Sequence, residues 1–183
     1  SLQTMGVFQL ESSGMKRAIS ILKPSCFNDI VALLALFRPG PMDSINTYAK
    51  RKEGKEKIIY DDPCLEPILK DTYGTIVYQE QIMQIFQTLA DYTLGQADMV
   101  RRMMGKKKVE EMRKQKDKFV ELASKNHGMP EEDANTLFEQ IEKFAEYCFN
   151  RSHSAAYAFV AYQTAYLKCH YPVEYLSALL SSV

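Results

Sequence analysis

No stretch of this sequence is apolar for long enough to cross a bilayer, which takes roughly 20 residues. The longest candidate, AAYAFVAYQTAYL, is interrupted by Gln163 and Thr164, so no membrane partner is expected. Nor does the chain open with the basic and then apolar run of a secretory leader. Its four cysteines, Cys26, Cys64, Cys148 and Cys169, contain no C-x-x-C pair. That excludes a disulfide scaffold and a common zinc module, and it points to a reducing cytoplasm. A mixed site from Cys148, His153, Cys169 and His170 fits no usual ligand spacing. There is no G-x-x-x-x-G-K-[ST], no H-E-x-x-H and no D-x-D pair, so a P-loop, a zincin and a carboxylate pair for two magnesium ions are all missing. No repeat or low-complexity segment occurs.

Net charge is also absent, yet its distribution is uneven. The segment 98–118, DMVRRMMGKKKVEEMRKQKDK, holds nine Lys or Arg against four acids, and the remainder of the chain carries the matching acidic excess. A local asymmetry of this kind points to a polyanion. Within it, Glu110, Glu111 and Asp117 interleave with the later cations at helical pairing distances, so Lys114 to Lys118 reads as a solvated helix face. Arg101, Arg102 and Lys106 to Lys108 have no acids among them.

What is present is one core's worth of apolar residues, 46% of 183, in helical periods, so a single domain over 1–183 is expected. The absence of an initiator Met and of a tail suggests a piece of a longer protein. The fold class is all-α, with room for one short strand pair around Thr75 to Tyr78. Ser25 can cap a helix through FNDIVALLALF that is apolar all round and therefore buried. Arg38-Pro39-Gly40-Pro41 stops it at Phe37 or Arg38. Residues 50–70 are polar, with Gly54, Pro63 and Pro67, and read as a surface excursion.

Ile82, Ile85, Phe86 and Leu89 mark an amphipathic helix. A short helix lies between Gly95 and Gly105 and a long one between Gly105 and Gly128. Glu131, Glu132 and Asp133 open another, with Leu137, Ile141, Phe144 and Cys148 inward. Residues 150–154 form a turn before a last buried helix, 155–171, closed by Tyr171-Pro172.

The turn FNRSH carries chemistry. With Ser152 or Ser154 as N-cap, the helix start offers amide protons and a partial positive charge to phosphate. Arg151 adds a guanidinium fork and His153 a second donor. Arg38 and the RRMMGKKK run add cations at other element ends, which suggests convergence on one polyanionic ligand.

Six segments in order, GVFQLESSGMK, ALFRPGPM, YGTIVYQEQIMQI, DMVRRMMGKKK, FNRSHSAAYAFVAYQTAYLK and HYPVEYLSALL, closely resemble the fingers region of the bacterial DNA polymerase III alpha-subunit family, the C-family replicative DNA polymerases. The resemblance covers essentially the whole chain. It implies a mostly helical fingers domain of a DNA-directed DNA polymerase, a nucleotidyltransferase. Its partners would be the incoming dNTP, primed template DNA, the rest of the polymerase chain and replisome subunits. It implies that the catalytic aspartates and their Mg2+ sit in a palm domain outside this sequence, so this piece holds no catalytic residue and no metal and is inactive alone.

By the family's R-R-x-M-G-K and F-N-[KR]-S-H patterns, Arg101, Arg102, Arg151, Ser152 and His153 would serve the triphosphate. Tyr157 would lie near the nucleotide or pack behind the turn. Lys106, Lys107, Lys108 and Arg113, with Arg38, are candidates for DNA or phosphate backbone. The family more often has Lys at Arg151 and a small residue at Cys148. The competing reading is a helical nucleic-acid-binding module without an enzymatic role, and a third is an interaction scaffold using 50–70.

Overall fold

The computed structural model describes residues 2–104 and 109–182. Among them are ten α-helices, three short 3₁₀ turns and no strand, so the fold is all-α. The room left for a strand pair shrinks to a single parallel bridge between Tyr78 and Phe149. Two compact units emerge, one from residues 1–50 and 151–183, the other from 51–150.

In the first unit, α1 (Ser13–Leu22) and α2 (Phe27–Leu36) lead to α9 (Arg151–His170) and α10 (Pro172–Ser181). α2 is the centre, as its all-round apolar pattern predicts: Val31, Ala32, Leu33, Ala35 and Leu36 are buried. It starts one residue after Cys26, not on a Ser25 cap. The Ser25 hydroxyl and amide and the Cys26 amide all donate to Asp29, so the capping oxygen comes from inside the helix. The stop is as read. Phe37 leaves the helix, and Gly40 takes φ 105°, which only glycine adopts without strain, immediately before the 3₁₀ turn Pro41–Asp43. Along α1, the ring of Phe37 lies so near Gly14 that a Cβ there would meet Cζ at 2.9 Å.

α9 differs from expectation in two ways. It begins at Arg151, so 151–154 is the first helical turn and not a connecting loop. Ser154 is not a cap, because its buried hydroxyl donates to the Val31 carbonyl at 2.6 Å. The second correction concerns burial: only Ser154, Ala158 and Ala161 are buried on α9, while Phe159, Val160, Tyr162, Tyr166 and Leu167 are exposed. These small residues, at i, i+4 and i+7, form the seam through which α9 packs on α2. The large apolar residues around them stay uncovered in this chain.

In the second unit, the 50–70 region is less of an excursion than its composition suggests. α3 (Ser44–Lys52) belongs to the first unit through Lys50. The 3₁₀ turn Pro63–Leu65, α4 (Glu66–Leu69) and a second 3₁₀ turn Lys70–Thr72 then fold Leu65 and Leu69 into the core. α5 (Gln79–Ala90) is the hub. It packs on α6 (Leu94–Met104) and α7 (Val109–His127), and α7 packs on α8 (Glu131–Ala145). The predicted stripe Ile82, Ile85, Phe86 and Leu89 is fully buried. The Phe86 ring lies 5.2 Å from Phe119 and 6.0 Å from Phe138, both edge-on, the favoured arrangement for aromatic pairs. Cys148 is buried in this core, where it behaves as a small apolar side chain. Among the described residues, no helix is long and apolar enough to cross a membrane.

Candidate functional site

Each unit carries one set of the predicted cations. In the second unit, Arg101 and Arg102 occupy the last turn of α6, where cations complement the negative end of the helix dipole. They are held by an acid of their own helix. Asp98, one turn back, accepts from Arg101 Nε at 3.1 Å and Nη2 at 2.8 Å through one oxygen. Its other oxygen lies 2.7 Å from Arg102 Nε. The i+3 and i+4 spacing carried that information. So the pair is not free of acids: it is fixed by one carboxylate. Arg101 is largely covered, with 18% of its side chain exposed, whereas Arg102 is 68% exposed. Asp98 therefore anchors Arg101 and aims Arg102.

The Arg101 hydrogen bond, with the charges of both guanidinium groups, holds the Asp98 carboxyl below its ordinary 3.8. The ionised form is the one the fold favours. Its contribution is complete above pH 3.8 and is lost as pH falls through the lower folded value. An NMR titration of the Asp98 carboxyl should thus give a midpoint below 3.8, and Arg101→Ala should return it most of the way. An unchanged midpoint in Arg101→Ala would remove the anchor.

Lys106, Lys107 and Lys108 lie outside the described residues. Arg113 is exposed on α7 and borders a cavity of about 670 Å³ with Lys116, Lys143, Glu139, Glu142 and Glu146. Cations and acids alternate there, and Lys116 pairs with Glu139 of α8 at 2.7 Å. This is the solvated, paired face expected for the second half of the basic segment.

In the first unit, Arg151, Ser152 and His153 are exposed in the first turn of α9, which contains no acidic residue. This reverses the usual order, which α8 follows with Glu131, Glu132 and Asp133 in its first turn. A helix start without an acid offers its amide protons and partial positive charge to an anion. The exposed Tyr157 ring lies 4.5 Å from His153 and 5.3 Å from Phe8, so it lines one side of the imidazole. Arg38 is half-buried and its Nε donates to the Ala35 carbonyl at 3.0 Å, capping the end of α2. Its guanidinium has a structural task as well as charge.

A further cluster was not legible from spacing. Asp62, Cys64 and His127 each offer a donor atom within 4.8 Å of the others. Burial and the Asp62 carboxylate push the Cys64 thiol up to about 12.

The family described as the bacterial DNA polymerase III alpha subunit finger domain matches residues 1–127. The chain is 55% identical to the DNA polymerase III subunit alpha of Thermus aquaticus over 98% of its own length and 15% of that relative's. It is 54% identical to the same subunit of Aquifex aeolicus over 98% of the chain and 16% of the relative. It is likewise 54% identical to that of Escherichia coli K12, again over 98% and 16%. It spans about one sixth of these relatives. With such identity along nearly its whole length and a matching finger-domain profile, the chain belongs to the bacterial DNA polymerase III alpha subunit family, as its fingers domain.

Proposed function

We propose that this fingers domain binds the triphosphate of the incoming dNTP and the backbone of primed template DNA during nucleotidyl transfer by the whole subunit, in the bacterial cytoplasm. The observation that carries the reading is a pair of cationic helix ends on a chain with no net charge. The α9 start holds Arg151 and His153 without an acid in its first turn. The α6 end holds Arg102, and among the described contacts only its Nε is engaged, by Asp98. The two terminal nitrogens of that guanidinium remain to take phosphate oxygens in a fork.

Chemistry supports the same division of labour. In phosphodiester formation negative charge grows on the leaving pyrophosphate, and cations fixed in advance stabilise that charge without reorganising. Asp98 supplies the fixing for Arg102, and the Tyr157 ring lines one side of His153. The magnesium ions of such a reaction require several oxygen ligands in octahedral geometry. The donor cluster described here includes a thiol and does not fit them. On this reading their ligands lie in another domain of the subunit, and activity requires that domain.

The test is steady-state kinetics of the full-length subunit carrying Arg102→Ala. The expected result is a rise in KM for dNTP or a fall in kcat, about tenfold in kcat/KM, from losing one charge-assisted contact of ~1.5 kcal/mol. Affinity for primed template should hold. Collapse of template affinity, with steep salt dependence and unchanged nucleotide kinetics, would instead make this a DNA-backbone module.

A further inference from the structure

We propose that Asp62, Cys64 and His127 form a binding site for one divalent transition-metal ion, Zn2+ by preference, on the face of the second unit remote in sequence from the arginine motifs. The inference stands independently of the nucleotide reading. Three observations carry it. First, the donor set is mixed: one carboxylate oxygen, one sulfur and one imidazole nitrogen within 4.8 Å of one another. Metal bonds of 2.0 to 2.3 Å place tetrahedral zinc ligands about 3.5 Å apart, so inward rotations of roughly 1 Å complete the geometry. Sulfur with nitrogen selects Zn2+ over Mg2+ or Ca2+, which take oxygen.

Second, two of the three donors, the carboxylate and the imidazole, are held by bonds that leave a lone pair available. Asp62 Oδ1 accepts the Cys64 amide at 2.8 Å, which sets the carboxylate beside the sulfur across Pro63. His127 Nε2 lies 2.8 Å from the Thr88 carbonyl. A carbonyl can only accept, so Nε2 carries the proton and Nδ1 presents the lone pair. An imidazole that donates its other N–H to a backbone carbonyl is the usual outer support of a metal-ligating histidine.

Third, the corner that carries His127 is braced. Asn126 Nδ2 donates to Asp91 at 2.7 Å, tying the end of α7 to the residue that follows α5, and Ser124 donates to the Met129 carbonyl. A site on braced elements needs little ordering when metal enters.

Binding balances simply. The Cys64 Sγ–H bond breaks and its proton passes to solvent, Sγ–metal, Oδ–metal and Nδ1–metal bonds form, and no electron is transferred. Thiolate and carboxylate together neutralise the 2+ ion. A water takes the fourth position. The ion would clamp the 62–65 turn to the α5–α7 corner, adding to the hold that buried Leu65 already gives it.

The experiment measures Co2+, then Zn2+, bound by the full-length subunit that contains this chain, against Cys64→Ser, Asp62→Asn and His127→Gln. Metal content and the near-ultraviolet thiolate-to-cobalt absorption are both read. Asparagine at 62 retains the cap to the Cys64 amide and glutamine at 127 can still donate to Thr88, so these two variants keep the fold. The expected result is one equivalent fewer in each variant, or at least a tenfold weaker site, with the thiolate band lost in Cys64→Ser and the Zn2+ form displacing cobalt. Equal metal content in wild type and all three folded variants, or a thiolate band that survives Cys64→Ser, would overturn the site.

Discussion

Asp29→Ala should lower the unfolding temperature of the unit built from residues 1–50 and 151–183 by about 10 °C or more, a loss of ~2–3 kcal/mol. Asp29 is buried, and its carboxylate accepts from the Ser25 amide at 2.8 Å, the Ser25 hydroxyl at 3.1 Å and the Cys26 amide at 3.3 Å. The buried Tyr48 hydroxyl of α3 donates to its other oxygen at 3.4 Å. Alanine strands the buried Tyr48 hydroxyl, at ~1–3 kcal/mol, and removes the charge-assisted bonds that close the turn at Ser25 and Cys26, whose donors water can reach because both residues are exposed.

Asp29→Asn keeps an acceptor and should lose less than half as much. Tyr48→Phe, which removes only the longest of these bonds, should cost ~1 kcal/mol or less. The effect reaches function through α2. Val31, two residues on, accepts the Ser154 hydroxyl, and Ser154 fixes the turn that presents Arg151 and His153. On the proposed nucleotide role, Asp29→Ala should therefore weaken nucleotide kinetics in the full subunit while Arg151 and His153 themselves remain. Thermal unfolding within 2 °C of wild type would show that the loop, not Asp29, holds α2 in place.

Local signals in this sequence translate reliably because their physics is local. The R-P-G-P stop, the Ile82 to Leu89 stripe and the acid-rich start of α8 each depend on residues within one or two turns. The start of α9 was displaced by four residues for a related reason. Two serines looked like caps, but Ser154 spends its hydroxyl on a carbonyl 123 positions away, and no local pattern can show that.

Burial of α9 was misread because an apolar surface tells only that something covers it, not that the cover lies in the same stretch of chain. Tyr162, Tyr166 and Leu180 are exposed here, which fits a domain that is one sixth of its relatives. At the site, cation positions were legible, and the grip of Asp98 on both arginines was available in the spacing. The Asp62, Cys64 and His127 group was not, since its members come together only through packing of the α5–α7 corner on the 62–65 turn.

In the second unit the largest loss should follow Gln81→Leu, ~3 kcal/mol, read by chemical denaturation, with fast hydrogen exchange at the Val77 and Tyr78 amides. Gln81 is buried on α5 and uses both ends of its amide. Oε1 accepts from the Val77 amide at 2.9 Å and the Tyr78 amide at 3.0 Å. Nε2 donates to the Ile68 carbonyl at 3.2 Å and to Thr72 Oγ1 at 2.8 Å. Thr72 in turn donates to the Thr75 carbonyl at 2.6 Å. One side chain thus closes the capping box of α5 and fastens the α4 region and the 75–78 segment to it.

Leucine fills the volume, and its apolar burial offsets part of the loss, but it strands two N–H groups and a carbonyl away from water. The consequence spreads to the segment before α9. The Phe149 amide donates to Val77 and the Gln79 amide to Phe149, at 3.2 and 3.0 Å, so a loosened 77–79 releases Phe149 from its bridge. Gln81→Glu separates packing from bonding. It has nearly the same shape and keeps the acceptors, yet at pH 7 it brings a carboxylate against the Ile68 carbonyl, which cannot donate. If hydrogen bonding is the cause, Gln81→Glu should be at least as destabilising as Gln81→Leu at neutral pH and should recover as the pH is lowered and the acid gains a proton to donate. If Gln81→Leu costs less than ~1 kcal/mol and Gln81→Glu shows no recovery in acid, the 75–78 segment is held by its apolar contacts and not by this amide.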